Sequence, residues 1–167
     1  MSAQAASVDT IQVVSFMIVN QSNKKEDYAI PIEQVREIRS VEKITRVPRS
    51  ESHVKGIMNL RGLIIPVIDV KEKLGLASEG EVNSSKQRIL VIEVSGTQTG
   101  LLVDEVDQVM RIQTKDLESA PQSVLESHNY IKGIAKMNQK LIVLIDVVNL
   151  LSDSSSDLSQ IMERGKQ

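Results

Sequence analysis

One pattern occurs twice in the chain, and this internal repeat constrains the fold more than any other feature of the sequence. Residues 54–70 align without a gap with residues 131–147, and residues 29–35 align with residues 100–106. The identical positions of the longer alignment are Lys55/Lys132, Gly56/Gly133, Ile57/Ile134, Ile65/Ile142, Ile68/Ile145, Asp69/Asp146 and Val70/Val147. Two copies are too few for a solenoid, in which each repeat packs only against its neighbours. The repeat therefore predicts two small barrels related by a pseudo-two-fold axis.

Each copy has the composition and the turn signals of a β-structure. The chain has 20 Val and 18 Ile against 14 Leu, and β-branched residues favour strands. Continuous apolar runs at 63–68 and 141–145 indicate strands that are buried on both faces. In residues 13–76 and again in residues 88–151 we expect a strand, a turn, a strand, a helical turn, a strand, a loop, a hairpin and a short helix. A polar link over residues 77–87 joins the halves.

Helix-capping signals end both halves. Asp69 begins a capping-box pattern with the Glu three residues later, and Gly75 is placed to close the helix. Asp146 has the same position without the Glu. Outside the repeat, residues 1–12 are expected to form a flexible N-terminus. Residues 152–167 are expected to form a Ser- and Asp-rich linker followed by a short terminal helix.

Composition excludes several classes of protein. The absence of Cys excludes disulfide scaffolds, iron–sulfur sites and thiol nucleophiles. A net charge of −2, from 20 basic and 22 acidic residues, gives no general attraction to nucleic acid or anionic lipid. The apolar runs are far shorter than the roughly 20 residues of a membrane-spanning helix, and the N-terminus lacks the pattern of a secretory signal. We therefore expect a cytoplasmic protein without membrane insertion.

The sharpest catalytic hypothesis is the pair Asp69 and Asp146, one carboxylate in each half, as in a dyad that shares a proton. Such a dyad needs Thr or Ser and then Gly after each Asp, whereas here Val follows both. Helix capping is the favoured alternative. His53 and His128 lack a second ligand at metal spacing, and the acidic residues of segment 104–107 alternate with Val as on an exposed strand face. We predict no catalytic residue, no cofactor and no metal site.

The turn at residues 59–62, Asn-Leu-Arg-Gly, lies at the tip of a predicted hairpin. Asn and Gly permit a positive φ there, and Arg61 is expected to project from the turn into solvent. The matching residues 136–139 have neither the Arg nor the Gly. This difference has two interpretations. One is sequence drift on a surface loop, and the other is a contact with a partner, for which an exposed Arg on a rigid turn is a common anchor.

Large aliphatic residues are too numerous for two small barrels to enclose them all. The candidates for lining a groove between the barrels are Val35, Ile38, Val41 and Ile44 in the first half and Val103, Val106 and Val109 in the second. Closing a shared core is the alternative, and it accounts for most of them. Those that stay exposed would form a binding patch, and an apolar groove that accepts an amphipathic helix is one recurring form of such a patch.

Taken in order, these motifs resemble those of the CheW family of chemotaxis coupling proteins. The likeness is carried by residues 35–39 (Val-Arg-Glu-Ile-Arg), by residues 44–48 (Ile-Thr-Arg-Val-Pro) and by residues 57–70, which contain Asn-Leu-Arg-Gly. It continues through the segments 100–104, 120–121, 130–133 and 142–147. The resemblance implies a mainly β fold of two intertwined five-stranded SH3-like β-barrels related by pseudo-two-fold symmetry, with short helices and no catalysis.

The resemblance also implies partners and the residues that contact them. Family members are cytoplasmic adaptors that couple the helical hairpin tips of chemoreceptors to the regulatory domain of the histidine kinase CheA, in membrane-associated arrays. The positions that match partner-binding residues are Arg61 with its supports Gly56 and Gly62 in the signalling turn, Val35, Glu37 and Ile38 in the region facing receptor and kinase, and Val103 and Val106 in the groove between the barrels.

One position departs from the family pattern, and three alternatives stay open. Members carry a bulky apolar residue shortly after an Ala-Pro pair in the second half, whereas here Gln122 and Ser123 follow that pair. A second kinase contact therefore depends on residue 124 or 125. The alternatives are a nucleic-acid-binding barrel, for which three aromatic residues are few, a detached kinase-regulatory domain serving another receptor-controlled output, and an enzyme built on the Asp pair.

Overall fold

Most of the residues that the structure describes are extended, as expected from the Val and Ile content of the chain. The computed structural model describes residues 9–20, 22–76, 85–123 and 130–152. The strands within these residues are β1 (Thr10–Val19), β2 (Lys25–Pro31), β3 (Val35–Ser40), β4 (Val54–Leu60), β5 (Leu63–Asp69), β6 (Arg88–Val94), β7 (Thr97–Val103), β8 (Glu105–Gln113), β9 (Leu117–Glu118), β10 (Ile131–Met137) and β11 (Lys140–Ile145). A helix follows the last strand of each half: α1 (Val70–Lys73) and α2 (Val147–Ser152). A single 3₁₀ turn at Ile32–Gln34 occupies the position of the helical turn predicted for the first half. In the second half the matching position holds only a bend at Asp104, and the 3₁₀ turn Thr114–Asp116 comes later, after β8.

The strands form two sheets, and each sheet contains strands from both halves. One sheet has the order β8-β1-β2-β11-β10-β9 and the other has the order β3-β6-β7-β5-β4. The first hairpin of each half, β1–β2 or β6–β7, therefore lies between strands of the other half. A parallel pair joins it there, with Ala29 opposite Leu144 in one sheet and Gly100 opposite Val67 in the other. These pairs occupy matching positions of the repeat, so the halves exchange hairpins symmetrically.

Among the described residues, three clusters of buried apolar side chains hold the sheets together. The largest draws residues from both sheets and both halves, among them Phe16 and Leu90. A smaller cluster around Met58 belongs to the five-stranded sheet, and a matching cluster around Ala135 belongs to the six-stranded sheet. Each cluster contains residues of both halves. Burial of apolar surface is the dominant favourable contribution to folding, so neither half can build these clusters alone.

The structure explains why residue 56, one of the identical positions of the repeat, is a glycine. It lies in β4 with a φ of 149°, at a register shift between β4 and β5. The backbone of Thr45 exchanges two hydrogen bonds with Ile57, each 2.8 Å long, and this brings the two segments close together. A Cβ on Gly56 would lie 2.1 Å from the carbonyl oxygen of Thr45. Only glycine fits at this crossing.

The helix caps agree with the predicted signals, with one difference. The Asp69 carboxylate accepts hydrogen bonds from the backbone N–H groups of Lys71 and Glu72 at the start of α1. Gly75, with a φ of 73°, donates its N–H to the carbonyl of Glu72, and Leu76 donates to that of Lys71, which is the Schellman pattern. The N–H of Asp69 donates to the carbonyl of His53 rather than to Glu72, so the capping box is not reciprocal.

The mainly β fold with symmetric halves is confirmed. The strand β1 begins at Thr10 rather than at Val13, so residues 10–12 of the predicted flexible N-terminus belong to the sheet. Closure of each sheet into a five-stranded barrel, and the boundaries assigned to the halves, stay predictions. The terminal helix predicted after residue 157 lies outside the described residues, as does most of the link between the halves.

Candidate functional site

The turn between β4 and β5 is a two-residue hairpin loop. Leu60 pairs with Leu63, which leaves Arg61 and Gly62 as the central residues. Their φ angles are 51° and 87°, as in a type I′ turn. The Asn59 side chain fixes the loop, because its Oδ1 accepts a 2.7 Å hydrogen bond from the N–H of Gly62. Arg61 is therefore presented from a defined backbone conformation.

The Arg61 side chain projects into solvent, as expected from the sequence, and it is also held by an ion pair that the sequence did not predict. Its two terminal nitrogens donate to the two carboxylate oxygens of Glu37, at 2.8 and 3.1 Å. Arg61 keeps 69% of its side chain exposed, and Glu37 keeps 24%. Glu37 lies on β3 and Arg61 follows β4, the two edge strands of the five-stranded sheet. The sheet therefore curls until its edges come within reach of a side-chain contact.

Two further residues extend this ion pair into a chain of four charges. Arg39 donates to Glu37 at 2.9 Å and also pairs with Glu42. We call Arg61, Glu37, Arg39 and Glu42 the turn cluster. The hydrogen bonds from Arg61, and then those from Arg39, hold the pKa of Glu37 below its ordinary value. Glu37 is therefore a carboxylate held by two guanidinium groups.

The second half repeats the turn but not its charges. Asn138 and Gln139 have φ angles of 49° and 66°, so the backbone is again a type I′ turn, although it lacks glycine. Gln108 occupies the position that matches Glu37. Both halves therefore have the same hairpin backbone, but only the first half has the Arg61–Glu37 ion pair.

The predicted aliphatic residues divide between the core and the surface. Val35 on β3 and Val106 on β8 occupy matching positions, and both are half-buried against the largest cluster. Ile38 and Val109 also match each other, and both are exposed. Strands β3 and β8 are edge strands of their sheets. The structure therefore presents two matching apolar strips, one on each edge strand.

Val103 does not line an exposed groove, which corrects the expectation that it faces a groove between the barrels. Its side chain is 1% exposed and belongs to the largest buried cluster. The expectation of an exposed acidic face at 104–107 is also wrong for Asp104, which is buried and forms an ion pair with Lys71. No local pattern signals this pair, because its members belong to different halves. Arg39 and Glu42 were likewise not predicted as part of the site.

The catalytic and metal hypotheses gain no support from the geometry. Asp69 and Asp146 both cap helices, since Asp146 Oδ1 accepts a 3.1 Å hydrogen bond from the N–H of Asn149. Burial raises the pKa of Asp69. Within the described ranges, no group of three or more His, Asp or Glu side chains is placed to hold a metal ion. Among the same residues, no helix is long and apolar enough to cross a membrane.

The surface includes one open basin of about 1050 Å³. The segment 41–52 forms much of its lining, together with Lys55, Lys71 and Asp104. Its walls carry charges of both signs, so it shows no preference for an anionic or a cationic ligand. Gln122 and Ser123, where the sequence departs from the family pattern, are exposed, and residues 124 and 125 lie outside the described residues.

Comparison with known proteins decides the family. The model of the CheW-like domain matches residues 12–155. The chain belongs to the CheW-like family. The chemotaxis protein CheW of Bacillus subtilis is 38% identical over 141 residues, which cover 84% of this chain and 88% of that protein. CheW of Helicobacter pylori is 31% identical over 150 residues, which cover 90% of this chain and 87% of its own.

A solved structure of a CheW-like protein agrees with the fold. The scaffolding protein TtCheW from Thermoanaerobacter tengcongensis superimposes with a TM-score of 0.71 at 32% sequence identity. The match covers 83% of this chain and 90% of TtCheW. The family and its scaffolding member confirm the predicted class of function, a chemotaxis adaptor that couples receptors to the kinase CheA.

Proposed function

We propose that the chain couples the helical hairpin tips of chemoreceptors to the regulatory domain of CheA without catalysing a reaction. The observation that carries the proposal is the Arg61–Glu37 ion pair, which fixes an exposed guanidinium on a rigid turn beside the edge strand that carries Val35 and Ile38. The place of action is the cytoplasm, at the membrane-associated receptor array. The output of such an adaptor is the relative position of its partners.

The receptor contact uses the edge strands β3 and β8. Val35 and Ile38 on one strand, and Val106 and Val109 on the other, offer apolar area that an amphipathic helix can cover. Val103 supports this surface from the core. The turn cluster supplies charge at one end of β3, and charged groups at the rim of an interface favour one orientation of the partner. Gly56 and Gly62 contribute by fixing the hairpin that carries Arg61.

The kinase contact uses a different face. Leu63 and Ile64 at the start of β5, and Leu141 at the matching position of β11, are at least half exposed. Exposed large aliphatic side chains on a strand favour docking of a partner. Each contact on its own is small, and an array strengthens both contacts because a held partner meets the next one at high effective concentration. Receptor conformation can then bias the kinase through different contacts in two states.

Isothermal titration of the full chain with full-length CheA tests the proposal. We expect saturable one-to-one binding that disappears when the regulatory domain of the kinase is deleted. A receptor tip fragment should bind in a separate titration and compete little with the kinase. The absence of heat and of complex at high micromolar concentration would contradict the kinase contact. Binding of the kinase alone would instead favour a regulatory-type domain that serves another output.

A further inference from the structure

Strand β8 is irregular where it presents Val106. Phe16 of β1 lies opposite Val106, but the preceding residue Ser15 lies opposite Gln108, so Asp107 is an extra residue. This is a β-bulge, and bulges redirect neighbouring side chains. The Ser15 hydroxyl lies 3.1 Å from the carbonyl oxygen of Gln108, to which it donates, and so fixes one end of the bulge. The direction of Val106 therefore depends on how the first residues of β8 are held.

Asp104 holds the other end, immediately before β8. Its Oδ2 accepts a 2.7 Å hydrogen bond from the backbone N–H of Val19, the last residue of β1. The same oxygen lies 3.0 Å from Nζ of Lys71 in α1. The side chains of Asp104 and Lys71 are only 7% and 13% exposed. We call Asp104, Lys71 and the N–H of Val19 the β8 clamp.

The β8 clamp occurs in one half only, although the bulge occurs in both. The register between β3 and β6 also shifts between Val35 and Glu37, at the matching place. There, however, Glu33 takes the position of Asp104 and is exposed. Val148 takes the position of Lys71 and is half exposed. Because the first half forms the same bulge without a clamp, packing of the repeated fold does not require one. We therefore look for a role of the clamp that is specific to β8.

We infer that Lys71 and Asp104 are positioning residues, which set the place of Val106 for the receptor without touching the receptor. The part of this inference that concerns the receptor rests on the proposed function. Hydrogen bonds to charged groups are stronger than neutral ones, and removing one member of a buried pair leaves the other charge without a partner. Loss of either residue removes one of the contacts that hold the start of β8, where the ion pair of Glu105 with Lys25 remains. The clamp also joins α1 of the first half to β8 of the second, so it connects elements far apart in the sequence.

The test uses Lys71→Met and Asp104→Asn in the full chain, with Lys71→Arg as the conservative variant. We expect affinity for a receptor tip fragment to fall about tenfold, while affinity for full-length CheA is unchanged. In amide NMR spectra, the largest shift changes should be confined to Val19 and to residues 105–109. Lys71→Arg should recover both the affinity and the spectrum. Lys136→Met, which breaks the exposed pair of Lys136 with Glu118, is the matched control and should change neither.

Two results would overturn the inference. One is a parallel loss of both affinities and of melting temperature, because a general structural role affects all partners alike. The other is a spectrum whose changes spread over both sheets or leave residues 105–109 unmoved. If Asp104→Asn does not fold, the two variants at Lys71 decide the question. If the unaltered chain binds neither partner, the proposed function fails, and the NMR shifts still show whether the clamp positions β8.

Discussion

Arg61 and Glu37 lie 24 residues apart in the chain and are joined by two parallel hydrogen bonds, of 2.8 and 3.1 Å. The pair connects the β4–β5 turn to β3 and joins the two edges of one sheet. Matching positions in the other half hold Asn138 and Gln108, which carry no charge. Charge at this place is therefore not needed to form the hairpin. Substitutions of the pair should separate partner binding from folding.

Arg61→Glu should leave the fold intact and weaken coupling. The substitution places a carboxylate beside Glu37, but the position is largely exposed, and an exposed ion pair contributes little to the free energy of unfolding. Affinity for a receptor tip fragment should fall at least about tenfold, as at a charged anchor of an interface. Calorimetric titration measures the affinities, and thermal unfolding measures the stability.

Asn138→Glu is the matched control for this experiment, because it introduces the same side chain at the same turn position of the second half. It should leave both affinities within about twofold of the original, as expected for a residue outside the anchors of an interface. A loss of thermal stability in Arg61→Glu equal to the loss of binding would mean that Arg61 serves the fold and not the interface.

Removing the Arg61 guanidinium should raise the pKa of Glu37. Hydrogen bonds from Arg61 are the largest cause of its lowered pKa, and those from Arg39 come second. Arg61→Gln should move the pKa toward the ordinary value of a Glu carboxyl, and Arg39→Gln should move it less in the same direction. Carboxyl carbon chemical shifts followed through a pH titration report both changes. An unchanged pKa in Arg61→Gln would show that the pair does not persist in solution.

Asp69 should make stability fall as the pH rises. Burial raises the pKa of Asp69, so the folded state binds this proton more tightly than the unfolded state does. Its contribution is therefore present at low pH, and it is lost as the pH rises from the ordinary range of Asp through the raised pKa. Asp69→Asn keeps an acceptor for the cap and should remove this dependence.

Asp69→Ala completes the comparison, because it removes the cap as well as the charge. It should lower the free energy of unfolding by about 1 kcal/mol. Urea unfolding of the three proteins across the acid range measures both effects. Identical slopes of stability against pH in Asp69→Asn and in the original chain would exclude Asp69 as their source.

The two glycines of the β4–β5 hairpin should respond differently to substitution by Ala. Gly56→Ala places a Cβ 2.1 Å from the Thr45 carbonyl oxygen, so the crossing must open, and we expect a loss of at least about 3 kcal/mol. At Gly62 the added Cβ meets open space, and only the positive φ is unfavourable, at about 1 kcal/mol. Gly62→Asn should recover most of that loss. Equal losses at the two sites, measured by urea unfolding, would contradict the crowding at Thr45.

The sequence predicts local structure well where one residue type has one structural use. Asp69 and Gly75 were recognised as cap and stop because carboxylates accept helix N–H groups and glycine adopts positive φ. The symmetric order of strands followed from the repeat itself. Gln139 shows the limit, since its positive φ is imposed by the strands on either side and no glycine signals it.

Contacts between halves were the part that could not be predicted. Glu37 was selected only through family resemblance, and nothing in the segment 35–40 indicates that it meets Arg61. Lys71 and Asp104 meet because the hairpins are exchanged, and that exchange depends on which edge each strand joins. Val103 was predicted to face a groove because the sequence of β7 does not reveal that both faces of this strand are covered. That covering also results from the exchange of hairpins.

The exchange of hairpins has a consequence for the history of the chain. A chain with a single copy of the repeat would have no neighbour for its first hairpin, and two such chains could complete each other only by trading hairpins across a two-fold axis. Joining the copies in one chain removes the requirement that both halves be identical. From then on, a charged turn could arise on one side while the other side kept a neutral one, and a symmetric pair could become an adaptor with two different ends.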